Sequence, residues 1–174
     1  AFYICAVLAV AVALGFLPPQ RTSGRDFLGF SAQRVSDDIR VIAKEPHSIQ
    51  HPKARKVLGE FLFHRLQQMG GETQIIGYDT IPSKIGGEFF YSNIYSVFPP
   101  VQKNRGGEGC FLPDSNGMYI LLVAHYDSRF RTIVGRDTVF SYGAADDGYG
   151  LGIIMELVSG AMKYRDEWKQ GIKV

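Results

Sequence analysis

Apolar residues recur along this chain with two different spacings, and the spacing predicts where helices and strands lie. Over residues 31–44 and 53–71 they recur every three or four positions, which predicts two amphipathic helices. Ser31 is a candidate N-cap for the first helix. Gly70 and Gly71 predict the end of the second helix, because glycine accepts the backbone angles that terminate helices.

Strand-like segments follow the second helix. Residues 72–81 and 87–100 are rich in aromatic and β-branched side chains and predict two strands. Residues 118–128, with the sequence MYILLVAHYDS, predict a third strand, and its continuous apolar run indicates burial on both faces. One short strand is expected within residues 129–145. Residues 146–168 predict a helix with five apolar side chains facing inward: Leu151, Ile154, Met155, Val158 and Met162.

Helices and strands therefore mix, and a buried strand leads directly into a helix. This order predicts an α/β fold with a sheet covered by helices. In such sheets, ligands bind beyond the carboxyl ends of the strands.

The first 19 residues are apolar, carry no charge and end in Pro18 and Pro19. This length is near the lower limit for a transmembrane helix and also fits the apolar part of a secretory signal. We expect a signal anchor, with a cleaved signal or a buried core helix as alternatives. The first two interpretations place the remaining residues outside the cytosol, in a membrane-anchored or secreted protein of the periplasm or an organelle lumen. No initiator Met or basic segment precedes the apolar run, so we expect the natural chain to begin upstream. Residues 20–30 predict a polar linker.

Composition narrows the function classes. A length of 174 residues suits one domain, and the net charge is only +2. No dense Lys/Arg cluster is present in the sequence, which argues against a nucleic-acid-binding protein. Lys53, Arg55 and Lys56 are expected on the solvated face of the second helix.

The polar residues of interest stand at the ends of apolar segments. His125 and Asp127 end the third strand, and Asp146 and Asp147 open the next helix. Residues two apart on a strand point the same way, so His125 and Asp127 either share one site or Asp127 braces His125. A carboxylate at the helix entrance can bridge two cations. Imidazole with carboxylate suits zinc, with manganese and cobalt as alternatives.

Each motif alone is more often structural, because a strand-end HYD or a DDG turn usually serves packing or helix capping. Both together, each at the boundary of its element, favour a metal site.

The two motifs also carry a resemblance. ILLVAHYDS followed by GAADDGYGLGIIMEL resembles the metal-binding core of metallopeptidase family twenty-eight, the co-catalytic zinc aminopeptidases and their carboxypeptidase relatives. NIYSVFP and the helix beginning at HSIQHPKAR resemble further parts of that family. The DDG form and the apolar N-terminus are most similar to its membrane-anchored endoplasmic-reticulum and vacuolar branch and bacterial relatives.

The resemblance implies a fold and a set of roles. The fold is a three-layer α/β sandwich with a mixed, mostly parallel central sheet, preceded by one apolar N-terminal helix; residues 31–174 are the N-terminal part of the peptidase domain. His125 ligates one of two zinc ions, Asp127 orients His125, and Asp146 bridges both ions. Asp147 supports the site without ligating, and the peptide between Asp146 and Asp147 is cis in the family. The implied activity is that of a zinc-dependent aminopeptidase, which hydrolyses peptide substrates through metal-activated water.

The chain departs from the family by ending at Val174. The family's Glu pair, further acidic ligand and second His follow the helix that comes after the DD motif. Three histidines, His47, His51 and His64, precede the third strand and are not expected to be ligands. We therefore expect an incomplete domain that is inactive alone and holds zinc weakly.

Three rival interpretations remain. A glutaminyl cyclase shares the fold and the HYDS motif, but it uses one zinc and usually has Ser in place of the second Asp. A non-catalytic ectodomain of the same fold would bind other proteins. A metal-free α/β domain would use His125, Asp127 and Asp146 as turn and cap residues. The sequence leaves the substrate preference and the oligomeric state open.

Overall fold

The computed structural model describes residues 29–82, 88–103, 109–110 and 118–174. The expected apolar N-terminal helix, residues 1–19, and residues 20–28 of the expected linker lie outside this part of the chain. Within it, no helix combines the length and the apolar character that crossing a membrane requires.

The three predicted helices are present, and their bounds are α1 (Ala32–Ile42), α2 (Pro52–Gln68) and α3 (Tyr149–Met162). Ser31 caps α1 as predicted, because its Oγ accepts a hydrogen bond from the Arg34 backbone N–H at 3.3 Å. The prediction that Arg55 of α2 lies in solvent is wrong, because Arg55 is buried. Val57, an apolar residue of the same helix, is 65% exposed.

Among the described residues, eight strands form three sheets. Their bounds are β1 (Glu72–Pro82), β2 (Glu88–Phe98), β3 (Gln102–Lys103), β4 (Gly109–Cys110), β5 (Tyr119–Leu121), β6 (Arg131–Val134), β7 (Asp137–Phe140) and β8 (Gly171–Lys173). β1 and β2 are the predicted first two strands and pair antiparallel along most of their length. Where one short strand was expected within residues 129–145, β6 and β7 form a hairpin.

The main sheet has the order β1–β2–β8–β5, so the last strand in the chain lies in the middle. β8 pairs antiparallel with β2 and parallel with β5. The prediction of a mixed sheet is confirmed, but two of the three pairings described are antiparallel, so the prediction of a mostly parallel sheet is wrong for these residues. No pattern of apolar residues predicts β8, because three residues are too few to show a period.

The prediction that the third strand is buried on both faces is wrong. β5 covers only Tyr119–Leu121, and Ile120, Leu121 and Val123 are 52%, 63% and 77% exposed. β5 lies at the edge of the sheet, and its neighbour β8 ends at Lys173. The residues after Leu121 therefore have no strand beside them in the part of the chain described here.

The helices pack against one face of the sheet. Apolar side chains of α1, α2 and α3 join Phe98 of β2 in one core cluster. Alternate residues of β1, including Glu72, Gln74 and Ile76, are exposed on the other face. Among the described residues the fold is thus one layer of helices on a mixed sheet, and the second helical layer of the predicted sandwich is not found there.

An ion pair between the half-exposed Arg34 and the buried Glu156 joins α1 to α3. Glu156 is 3% exposed and accepts hydrogen bonds from Arg34 Nε at 2.9 Å and Nη2 at 2.6 Å, and from the Ser31 backbone N–H at 2.8 Å. Burial alone would raise the pKa of Glu156. The bonds from Arg34 and Ser31 outweigh burial and hold the pKa below its usual 4.5. Glu156 is therefore structural.

Replacing Glu156 with glutamine should destabilise the fold by about 2 kcal/mol at pH 7, because hydrogen bonds to a charged group are lost. The folded-state pKa of Glu156 is lowered, so its stabilisation is complete above pH 4.5 and disappears as the pH falls through the folded-state pKa. Urea unfolding at pH 7 and in acid should show the difference between E156Q and the unaltered chain shrinking in acid.

The matched control is E60Q. Glu60 is 53% exposed and lies 3.9 Å from Lys56, so E60Q should change the free energy of unfolding by less than about 0.5 kcal/mol. An E156Q difference that does not depend on pH would contradict the ion-pair interpretation.

Candidate metal centre

Two loops meet beyond the carboxyl end of β5. The first directly follows β5 and carries His125 and Asp127. The second is the turn Ala144–Gly148, which carries Asp146 and leads into α3. Both lie where ligands gather in α/β sheets. The structure thus brings together the three residues that the sequence singled out.

His125 and Asp146 face each other directly. The distance from His125 Nε2 to Asp146 Oδ1 is 3.0 Å, and the two side chains are 51% and 72% exposed. Two ligands at about 2.0–2.1 Å from one tetrahedral zinc lie about 3.3 Å apart. The pair is therefore spaced like two ligands of one ion.

The other ring nitrogen of His125 contacts Asp127. His125 Nδ1 lies 3.0 Å from the Asp127 backbone oxygen and 3.5 Å from its carboxylate Oδ1. A carbonyl oxygen only accepts, so Nδ1 carries the proton and Nε2 of the neutral ring presents a lone pair to Asp146. The bracing contact is made chiefly by the Asp127 main chain, with the carboxylate further away.

Two acceptors that face each other favour a positive charge between them. Burial lowers the pKa of His125. The bonds to the Asp127 carbonyl and the Asp146 carboxylate, together with the negative charges of Asp127 and Asp146, outweigh burial and raise the pKa above its usual 6.5. The same lone pairs that favour this proton suit zinc, which binds imidazole nitrogen and carboxylate oxygen.

The side chain of Asp147 makes a different contact from that of Asp146. Its Oδ1 accepts a hydrogen bond from the Gly150 backbone N–H at 3.1 Å, at the start of α3. A Cβ on Gly150 would lie 2.4 Å from that same oxygen, so the close approach requires glycine. Asp147 therefore caps α3 behind Asp146, and the peptide between the two residues is cis, as in the family that the sequence resembles.

The contacts of His47 behind the two loops form a brace that was not predicted from the sequence. The His47 backbone N–H donates to Ser128 Oγ at 3.0 Å, and both residues are almost fully buried. Gly143, which precedes the Asp146 turn, has a φ of +68°, and a Cβ there would lie 2.9 Å from His47 Nε2 and 2.9 Å from the Ser128 Cβ. The brace thus holds one loop through Ser128 and the other through Gly143. The only sequence signal was the glycine before the aspartates.

None of the three earlier histidines joins the pair. His47 binds the Glu45 carbonyl through Nδ1 at 2.8 Å, His51 lies 2.8 Å from Ser48 Oγ, and His64 is exposed on α2. In the described part of the chain, no group of three or more His, Cys, Asp or Glu residues is arranged to hold a metal ion. The candidate metal centre thus contains two converging side chains in the described residues, those of His125 and Asp146.

One known family matches the segment of the chain that contains the two loops. Residues 110–174 match the model of peptidase family M28. The matched segment contains both loops of the candidate metal centre, and it confirms the resemblance predicted from the two motifs. No curated protein matches the chain.

Solved structures with the same fold include both exopeptidases and cyclases. A leucine aminopeptidase precursor from Bacteroides thetaiotaomicron VPI-5482 is 17% identical with a TM-score of 0.63. A Zn-dependent exopeptidase from Parabacteroides distasonis ATCC 8503 is 20% identical with a TM-score of 0.61. A glutaminyl cyclase from Tannerella forsythia is 22% identical with a TM-score of 0.61.

Each of these three matches covers 83% of this chain and 45% of the solved one. The chain therefore spans less than half the length of these structures. At such low identities the similarity shows the fold alone.

Replacing Gly143 with alanine should disturb the metal centre as well as the backbone. The positive φ alone costs about 1 kcal/mol, and the added Cβ would also push on His47 and Ser128. We expect G143A to lower the free energy of unfolding by more than this and to weaken zinc binding, measured by urea unfolding and by zinc titration.

The control is G135A. Gly135 has a similar φ of +66°, but a Cβ there has no atom within 4 Å. G135A should show only the backbone cost and leave zinc binding unchanged. Equal effects of the two substitutions on zinc affinity would rule out the brace.

Proposed function

We propose that this chain is part of a zinc-dependent exopeptidase of the aminopeptidase type, which hydrolyses peptide substrates. The observation that carries the proposal is the pair His125 Nε2 and Asp146 Oδ1 at 3.0 Å, within the segment that matches peptidase family M28. Zinc bound there would polarise the scissile carbonyl and activate water for its attack.

The residues present have separate tasks in this proposal. His125 and Asp146 would hold the metal, with Asp146 bridging two ions in the complete protein. Asp127 fixes the ring of His125, so that Nε2 faces Asp146. Asp147 holds the start of α3 and thereby the position of Asp146.

Catalysis would require further ligands and a general base besides His125 and Asp146. Only two candidate ligands converge in the described residues. The 174-residue chain should therefore bind zinc weakly and show no turnover by itself. The predicted location outside the cytosol, with an N-terminal anchor, remains part of the proposal.

A glutaminyl cyclase is the second candidate, since several solved structures with this fold carry that name. The second aspartate of the DDG motif favours the peptidase by comparison with the serine usual in cyclases. This difference distinguishes a peptidase from a cyclase only weakly, because Asp147 caps α3 and serine caps helices equally well.

The decisive measurement is a metal count by mass spectrometry on the full-length protein, with peptide hydrolysis and cyclisation of an N-terminal glutamine assayed on the same sample. Two zinc ions with hydrolysis support the exopeptidase. One zinc ion with cyclisation supports the cyclase. A protein without metal in every preparation excludes both.

H125A and D146A should each lower kcat/KM by more than about 100-fold, because even the partners of metal ligands contribute about 10- to 100-fold. H64A and D166A are the matched controls, since both side chains are exposed and lie away from the two loops. If H125A or D146A kept full activity and full zinc content, the proposed metal centre would be wrong.

A further inference from the structure

The β6–β7 hairpin connects the two loops of the candidate metal centre. It follows the loop that carries His125 and precedes the turn that carries Asp146. Phe130 directly precedes β6, and Phe140 ends β7. The register pairs Arg131 with Phe140, so the two phenylalanines stand at the base of the hairpin, on its opposite strands. Whatever holds this base together also bears on the separation of the two loops.

Three aromatic rings meet at the base of the hairpin. Between centroids, the ring of His51 lies 5.8 Å from that of Phe130 and 5.3 Å from that of Phe140. The two phenylalanine rings are 5.6 Å apart. His51 meets Phe140 edge to face, at 88°, and Phe130 at a tilt of 47°. Such separations and angles are those of attractive aromatic pairs. His51 thus contacts both strands of the hairpin at once.

The side chain of His51 does not serve the helix that it precedes. His51 is the N-cap residue of α2, but its side chain makes no capping hydrogen bond. Its Nδ1 lies 2.8 Å from Ser48 Oγ, and the Gln50 N–H donates to the same oxygen at 3.2 Å. The contact with Ser48 orients the ring, and the ring is packed against the hairpin.

Hydrogen bonds connect Phe140 to the turn that carries Asp146. The Gly143 N–H donates to Ser141 Oγ at 3.3 Å. The Gly143 oxygen accepts from the Gly148 N–H at 2.8 Å, which closes the turn. A displacement of Phe140 is therefore passed to Asp146 through two successive hydrogen bonds.

The chain from Phe130 back to His125 is also anchored. Ser128 lies between them, and its buried Oγ accepts from the His47 N–H at 3.0 Å. His47 and His51 belong to the same short segment before α2. That segment holds the loop through the main chain of His47 and holds the hairpin through the ring of His51.

We infer that His51 is a positioning residue for the candidate metal centre. Its ring holds Phe130 and Phe140 together, and this sets the distance between His125 and Asp146. The inference rests on the proposed function in so far as zinc is the ion that this pair binds. His51 was not expected to be a ligand, and its aromatic contacts give it a different role.

The first test replaces the ring. H51A should weaken zinc binding about 10-fold, because two aromatic pairs together correspond to about a factor of 10 in an equilibrium constant. H51F returns a ring to the space between the phenylalanines, while Ser48 keeps its hydrogen bonds with Gln50. H51F should therefore restore the zinc affinity of the unaltered chain to within about 3-fold. Zinc titration of the three proteins measures the difference.

The second readout needs no metal. H51A should speed amide exchange at Gly148, whose N–H closes the turn of Asp146, by about 10-fold. Exchange at the buried Leu62 in the middle of α2 should stay unchanged, and H51F should restore slow exchange at Gly148. Equal acceleration at Gly148 and Leu62 would mean a general loss of stability and would overturn the inference.

A double substitution tests whether His51 acts through the hairpin. Phe140 is 50% exposed, so F140A should leave the core intact and weaken zinc binding. The double variant H51A/F140A should bind zinc no more weakly than H51A alone, because residues in contact do not act additively. H64A is the matched control. The exposed His64 has a similar edge contact with Phe63 at 5.3 Å, and H64A should change neither readout.

The outcomes separate this inference from the proposed function. An unaltered chain that binds no zinc would contradict the proposed function, and exchange at Gly148 would then decide the role of His51 by itself. If the unaltered chain and H51A bind zinc equally, if H51F fails to restore binding, or if H51A and F140A are fully additive, the inference about His51 is wrong.

Discussion

The fold depends on the backbone pairing of one three-residue strand. β8 joins the β1–β2 hairpin to β5, through antiparallel bonds on one side and parallel bonds on the other. Without β8, β5 and the loop with His125 would have no connection to the hairpin through the sheet. Because β8 runs parallel to β5, their carboxyl ends lie at the same edge, where α/β sheets bind ligands. The position of the candidate metal centre follows from this pairing.

At that edge, the hydrogen bonds of His125 and the packing around His47 both position the candidate metal centre. A proton on His125 Nδ1, fixed by the Asp127 carbonyl, leaves the Nε2 lone pair facing the Asp146 carboxylate. Behind the pair, Ser128 and Gly143 pack against His47, so the two loops approach each other on a buried support. The exposed side chains of His125 and Asp146 are thereby supported by buried residues that take no part in their contact.

The sequence predicted the features with a clear local cause. The three helices, the β1 and β2 strands and the Ser31 cap follow from apolar spacing, β-branched content and capping chemistry. The prediction of burial from the sequence failed where burial depends on residues that are distant along the chain. Val123 lies in the most apolar run of the domain but is 77% exposed, because burial depends on which strand lies beside it. Arg55 lies in a polar run but is buried because α2 turns that face toward the sheet.

The sequence by itself singled out the candidate site residues: His125, Asp127 and Asp146 stand at element boundaries, where apolar periodicity stops. This is local information, since periodicity and chain breaks are properties of neighbouring residues. Only the tertiary structure decided that His47 lies behind both loops and that β8 lies at the centre of the sheet. These features depend on contacts between segments up to about 80 residues apart, such as His47 with Ser128, and no local pattern specifies which distant partner a backbone group will find.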